Sequence, residues 1–252
     1  MTKKERYISN TDYELLKKLY PNNMDEIIKK INDDYPIQYL IGDVDFYGYQ
    51  IKVDERALIP RFETEGLVDN LIKLLKNEAY YLPLKILEIG TGSGCIAITL
   101  SKELDTTVDA LDISKDAIDL ASSNAVLNNA NVNFALGDIK NCSINKKYNI
   151  LVSNPPYVKY DEPVDPATKY EPQNALFAHN NGLEFYEIIL KRSKEFLETR
   201  NIIAFEIGCT EGEDITNLAK LYYPNAFIQV KKDLAGKDRY ISVSYTHLTL
   251  PT

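Results

Sequence analysis

A chain of 252 residues is long enough for one α/β domain with a small addition. Its 37 acidic residues outnumber 29 basic ones, and a formal charge of −8 argues against gripping duplex nucleic acid through its phosphates. Only two histidines (His179 and His247) and three cysteines without metal-type spacing (Cys95, Cys142 and Cys209) are present, so neither a metal site nor a His-based triad is expected.

No apolar stretch approaches the roughly 20 residues that a bilayer span needs. Met1 to Arg6 is not followed by an apolar run, so no signal peptide is expected. Scattered cysteines in odd number fit reduced thiols, and the expected location is the cytoplasm.

From Asn10 to Asn32, apolar residues recur at helical spacing: Leu15, Leu16, Leu19, Met24, Ile27, Ile28 and Ile31. Pro21-Asn22-Asn23 interrupts them and predicts two short helices. Asp43 to Asp54 alternates around Tyr47-Gly48-Tyr49 and predicts a β-hairpin. A helix over 66–76 follows, with Glu63 or Thr64 available to cap it.

From residue 84 the pattern alternates. Strands are predicted over 84–89, 107–112, 132–136, 148–153, 202–207, 226–231 and 238–244. Helices are predicted over 94–103, 114–128, 182–197 and 211–222. Such alternation implies a largely parallel sheet covered on both faces. The segment from Lys159 to Asn181 has no periodicity and carries Asp161, Glu162, Asp165 and Glu171. A loop of that length is expected to cover a site or touch a partner. The last eight residues, 245–252, continue no pattern and are expected to be a non-native tail outside the fold.

Four strand ends carry the chemistry. The first predicted strand of the sheet runs through Glu88 into Gly90-Thr91-Gly92-Ser93-Gly94 and then an apolar helix. Glycines admit close approach of a ligand, and a helix start presents free N–H groups. Cys95 stands where a dinucleotide fingerprint would place its third glycine, so that fingerprint fits poorly. Asp112 ends the next strand. It can accept from both hydroxyls of a ribose, or cap the following helix in competition with Ser114. The third strand ends at Gly137-Asp138-Ile139, where Asp138 could meet an adenine amine and Ile139 its ring.

The fourth strand ends at Asn154-Pro155-Pro156-Tyr157. The double proline stops ladder pairing and places Asn154 at the carboxyl edge of the sheet. The Asn154 side-chain carbonyl and the Pro155 carbonyl, held because Pro156 restricts it, are two acceptors that can fix a planar –NH2 group. Tyr157 offers an aromatic face for that plane. Asn-Pro and Pro-Pro are also ordinary turn punctuation, and a plain loop is the competing reading. Glu206 ends the fifth strand near the same edge and reads as structural.

Together, Glu88 to Gly94, Asp112, Gly137-Asp138 and Asn154 to Tyr157 resemble a class I S-adenosylmethionine-dependent methyltransferase of the amino-methylating kind. Pro36 to Gly42, Phe46-Tyr47-Gly48, Leu58 to Glu65 and Tyr170 to Leu176 narrow the resemblance, over about residues 30 to 244, to the bacterial peptide chain release factor glutamine N5-methyltransferases. That resemblance implies a seven-stranded Rossmann-like sheet with its last strand antiparallel. It implies a small helical substrate-recognition region over 1–35, a hairpin linker over 36–60 and a methyltransferase domain over 61–244.

It implies S-adenosyl-L-methionine as donor, held by Glu88, Gly90, Thr91, Gly92, Ser93, Gly94, Asp112, Asp138, Ile139 and Asn154. The acceptor would be the glutamine of a Gly-Gly-Gln motif in a class 1 release factor, held by Asn154, Pro155, Pro156 and Tyr157, with Asn154, Pro155 and Tyr157 catalytic. Arg61 and Thr64 would lie near the donor. The expected partner is that protein alone, with no nucleic acid or membrane, and the enzyme is expected to act as a monomer. The alternatives are an adenine-N6 or guanine-N2 methyltransferase, which faces the same exocyclic-amine geometry after base flipping, and a nucleotide-binding module without catalysis.

Overall fold

The computed structural model describes residues 8–77 and 83–245, so most of the expected tail lies outside the described residues. The two N-terminal helices form as the spacing predicts: α1 (Asn10–Leu19) and α2 (Met24–Asn32). Ser9 caps α1 by accepting from the Asp12 N–H at 3.0 Å. A short helix, α3 (Ile37–Ile41), was not predicted, because five residues carry too little periodicity to register. Leu16, Ile27 and Ile31 close on Leu40 of α3 to form a small separate core.

The hairpin follows as β1 (Asp43–Phe46) and β2 (Tyr49–Lys52). Its two turn residues, Tyr47 and Gly48, both have positive φ (55° and 83°), the backbone of a tight two-residue hairpin. Phe46 and Ile51 are fully buried in the main core, which docks the hairpin on the sheet domain. The Asn124 side chain holds it there. Its amide accepts from the Lys52 N–H at 2.8 Å and donates to the carbonyls of Lys52 (3.0 Å) and Ser93 (2.9 Å).

Seven strands form the main sheet: β3 (Ile86–Ile89), β4 (Val108–Asp112), β5 (Val132–Leu136), β6 (Tyr148–Ser153), β7 (Leu197–Glu206), β8 (Phe227–Lys232) and β9 (Asp238–Tyr245). Their order is β5-β4-β3-β6-β7-β9-β8. β9 alone runs against the direction of the other six strands, antiparallel to both β7 and β8. β7 starts five residues before the predicted strand, because Leu197 pairs with Tyr148 across a bulge before the ladder resumes at Ile202.

Side chains alternate between two cores, as a strand period of two requires. Ile150, Val152, Ile202 and Ala204 face the core under α4 (Phe62–Asn77) and α5 (Cys95–Glu103). Leu151, Ile203 and Phe205 face the core under α7 (Glu184–Phe196) and α8 (Gly212–Tyr222). Helix α6 (Lys115–Leu127) crosses between β4 and β5. No helix among the described residues is long and apolar enough to cross a membrane.

Helix α4 begins at Phe62, four residues before the predicted start. A glycine at position 66 weakens the periodic signal, and its reason is packing. The Tyr240 phenol donates to the Glu63 carbonyl at 2.9 Å and fills the space beside Gly66, with its Cζ 2.6 Å from where a Cβ would stand. Gly66→Ala is therefore expected to destabilise the fold by about 1–3 kcal/mol, although alanine is the better helix former by about 1 kcal/mol in an open helix. Denaturant melts check this, and an unchanged or raised midpoint would mean that Tyr240 yields at no cost.

Strand order decides where a ligand can bind. β3 leads outward to β4 on one side, while β6 pairs with it on the other, with Glu88 opposite Val152. The carboxyl ends of β3 and β6 thus flank the switch in winding direction, where open α/β sheets leave a crevice.

Candidate active site

A cavity of about 330 Å³ opens at this crevice. One wall is the glycine turn. Gly90, Gly92 and Gly94 all have positive φ, and the backbone N–H groups of Gly90 and Thr91 donate to the Leu111 carbonyl at 2.8 and 3.2 Å. Nothing lies within 4 Å of the space beside Gly90, whereas the space beside Gly94 is closed by Ala121 at 3.0 Å. The turn therefore faces the cavity at Gly90 and packs against α6 at Gly94.

Asp112 and Ser114 divide the work that the sequence left open between them. Ser114 caps α6 by accepting from the Ala117 N–H at 3.2 Å. Asp112 instead braces the turn: one oxygen accepts from the Gly92 N–H at 2.8 Å and the other from the Ser114 N–H at 2.9 Å. Each oxygen keeps a further lone pair for a hydroxyl of a ligand. Asp138 and Ile139 also line the cavity, with one Asp138 oxygen accepting from the Lys140 N–H at 2.8 Å.

Glu88 lies at the floor, 1% exposed. Its Oε2 accepts from the Thr91 hydroxyl at 2.6 Å and the Ala97 N–H at 3.1 Å, while its Oε1 has no partner. Burial pushes its carboxyl up to about 8, against the pull of those two donors. Because the folded value lies above the unfolded one, the folded state holds the extra proton between about pH 4.5 and 8, and stability falls as pH rises through that window. Glu88→Gln should remove this dependence. In ligand-free protein its melting temperature should gain on wild type between pH 5 and pH 8, and a constant difference would show that Glu88 is already ionised at pH 5.

The opposite wall is Asn154, Pro155 and Pro156, at the end of β6. Asn154 donates from Nδ2 to the Thr64 hydroxyl at 3.2 Å, so its oxygen is the end left for a ligand. Thr64, 2% exposed on α4, in turn donates to Glu206 Oε2 at 2.7 Å. Tyr157 does not line the cavity. The contact found is not the expected face-on one: its ring packs in the core under α7 and its phenol donates to Glu206 Oε1 at 3.3 Å. A buried phenol needs partners, and Glu206 and Arg239 both stand beside this one. Burial raises the Glu206 carboxyl, and the Thr64 hydroxyl and Arg239 partly offset it.

Two further segments complete the rim. Ala57 to Arg61 line it from the hairpin side, and Pro172, Asn174 and Ala175 line it from the long loop. Arg61 ties them together by donating to Glu171 Oε1 at 2.6 Å, while the Ile59 N–H donates to Glu171 Oε2 at 3.1 Å. The loop is also strapped to α2, since the Tyr170 phenol donates to the Asp33 carbonyl at 3.1 Å. Sequence reasoning missed Ile113, Lys140 and Phe185 in the lining, because a single apolar or basic residue, after a strand (Ile113, Lys140) or at a helix start (Phe185), carries no distinctive signal. It also missed the partnership of Thr64 with Glu206. The available clue was a lone acid ending the apolar run Ile202 to Phe205.

The Methyltransferase small domain model matches residues 66–170. The release factor glutamine methyltransferase of Lactococcus lactis subsp. lactis (strain IL1403) is 41% identical over 222 residues, which are 86% of this chain and 80% of that protein. This chain belongs to the release factor glutamine methyltransferase family. Its counterpart from Enterococcus faecalis (strain ATCC 700802 / V583) is 39% identical over 82% of this chain and 74% of that protein. The crystal structure of a methyltransferase from Pyrococcus furiosus shares the fold with a TM-score of 0.57 at 18% identity, covering 90% of this chain and 98% of that one.

Members of this family use S-adenosylmethionine, and the cavity fits it. Glu88 Oε1 has no partner in the fold and, once its carboxyl ionises, can accept from a cation such as the donor's ammonium, and the open face of Gly90 admits a ligand against the backbone. Asp112 suits ribose hydroxyls, and the apolar side chains of Ile113 and Ile139 suit a purine.

Proposed function

We propose that this enzyme transfers a methyl group from S-adenosylmethionine to the side-chain amide nitrogen of the glutamine in the Gly-Gly-Gln motif of class 1 release factors. The names of its relatives support the substrate. The observation that carries the chemistry is the Asn154 carboxamide, anchored through its nitrogen at the lip of the donor cavity and followed by a rigid Pro-Pro pair.

A glutamine amide nitrogen is a poor nucleophile, because its lone pair is delocalised into the carbonyl. When bound, the donor supplies an electrophilic methyl on a positively charged sulfur. The protein's task is to orient and to stabilise charge. Asn154 Oδ1 and the Pro155 carbonyl accept the two amide hydrogens and hold the nitrogen facing the cavity. Good orientation of this kind contributes about 7–11 kcal/mol. The same two oxygens become better partners as positive charge develops on the nitrogen, so they favour the transition state over the ground state. Neither is a base, and the proton leaves to solvent after transfer. Tyr157 supports the grip by holding the loop to Glu206 rather than by stacking on the acceptor.

In this reading residues 8–35 and the Asp33-strapped loop receive the release factor, and the enzyme works in the cytoplasm. It acts as a monomer. Mass spectrometry tests the proposal. After incubation of enzyme and donor with a class 1 release factor, the Gly-Gly-Gln peptide should gain one methyl on its glutamine, while DNA offered alongside gains none. A methyl on adenine or guanine with an unmodified glutamine would overturn it.

A further inference from the structure

We propose that Glu206 is a positioning residue which, through Thr64, decides which end of the Asn154 carboxamide faces the acceptor. The inference rests on the reading that Asn154 grips an amide –NH2. Its basis is a short chain of hydrogen bonds that runs from Asn154 and Thr64 in the cavity lining to the buried Glu206. Glu206 ends β7 at 1% exposure and takes Thr64 on one oxygen (2.7 Å) and Tyr157 on the other (3.3 Å). Thr64 receives Asn154 Nδ2 at 3.2 Å. A single carboxylate thus holds both ends of the Asn154 to Tyr157 loop.

The direction of the chain follows from hydrogen counting. A threonine hydroxyl has one hydrogen to give. Glu206 Oε2 accepts that hydrogen, so Thr64 meets Asn154 only as an acceptor. The end of Asn154 that turns inward must then be its NH2, and the end that turns outward must be its carbonyl. If Thr64 instead gave its hydrogen to Asn154, the carboxamide would flip and present N–H groups to the acceptor's N–H groups. Two donors facing each other in a confined site form no bond and leave both groups unsatisfied. While ionised, a carboxylate at position 206 only accepts, and so enforces the productive sense. A glutamine there can donate to Thr64 and permit the flip. Remote residues that set a reacting group to within about 1 Å are worth about 10²-fold in rate.

Kinetics with release factor separate this from a merely structural role. Glu206→Gln and Thr64→Val should each lower kcat about 10²-fold, with KM for the release factor and donor affinity by calorimetry little changed. Thr64→Ser, which keeps the hydroxyl, should recover most of the rate. A second measurement needs no substrate. In ¹⁵N-asparagine-labelled protein, the Asn154 side-chain amide pair, identified by its loss in Asn154→Ala, should shift in Thr64→Val and stay in place in Thr64→Ser.

Near-wild-type kcat in Thr64→Val, or an Asn154 amide pair blind to that change, would overturn the relay. So would equal losses in the serine and valine variants. If the amide pair responds as expected but wild type leaves the release factor unmethylated, the relay stands and the substrate assignment is what fails.

Discussion

Asn154→Ala is expected to reduce methylation of a release factor by about 10²- to 10³-fold, the scale for removing one preorganised polar group aimed at developing charge. The variant should fold, because Asn154 is only half-buried and its side chain, among the described residues, bonds to Thr64 alone. Donor affinity should change by less than tenfold, since Glu88, Gly90, Gly92 and Asp112 line the other wall and remain in place. Single-turnover kinetics with calorimetry of donor binding make the check. A rate within a fewfold of wild type would show that the acceptor is gripped elsewhere. Loss of donor binding in step with rate would instead place Asn154 in the donor site alone.

Gly92→Val is expected to cut donor affinity by about 10²-fold. The residue sits at φ +55°, where a β-branched side chain is strained, and its N–H is the one that Asp112 accepts at 2.8 Å. Strain of this kind costs about 1–3 kcal/mol, and each 1.4 kcal/mol is about tenfold in affinity. The nearest heavy atom to a Cβ at position 92 is the Ala57 methyl at 4.0 Å, so a Cβ alone fits. The loss should come from the bent turn and the branched methyls rather than from a broken core. Calorimetry with the donor decides it, read beside a melting curve. Unchanged affinity in a folded variant would remove the glycine turn from the donor site.

Which parts of this arrangement could be read in advance depended on how local their signals were. The hairpin was legible because Tyr47-Gly48 is a two-residue turn within one alternating segment. The four strand ends were legible because each joins an apolar run to a polar residue or glycine within a few positions. Helix α3 was too short to show a period, and the early start of β7 depends on pairing with Tyr148, 49 residues away in sequence. Tyr157 was expected to face the acceptor because it stands beside Asn154 in sequence. Its actual direction is decided by Glu206, which comes from another strand.

By itself, then, the order of residues determined the alternating sheet, the glycine turn, the acid ending β4 and the Asn-Pro-Pro-Tyr loop. All of these follow from periodicity and backbone restrictions that act within a dozen residues. Tertiary structure alone decided that Asp112 braces the turn while Ser114 caps the helix. It also brought the long loop to the rim through Arg61 and Glu171, 110 positions apart, and suspended Asn154 from Thr64 and Glu206, whose partnership spans 142 positions. The reason is physical: a buried polar group must find a partner wherever packing supplies one, and no short-range pattern encodes which distant strand or helix that will be.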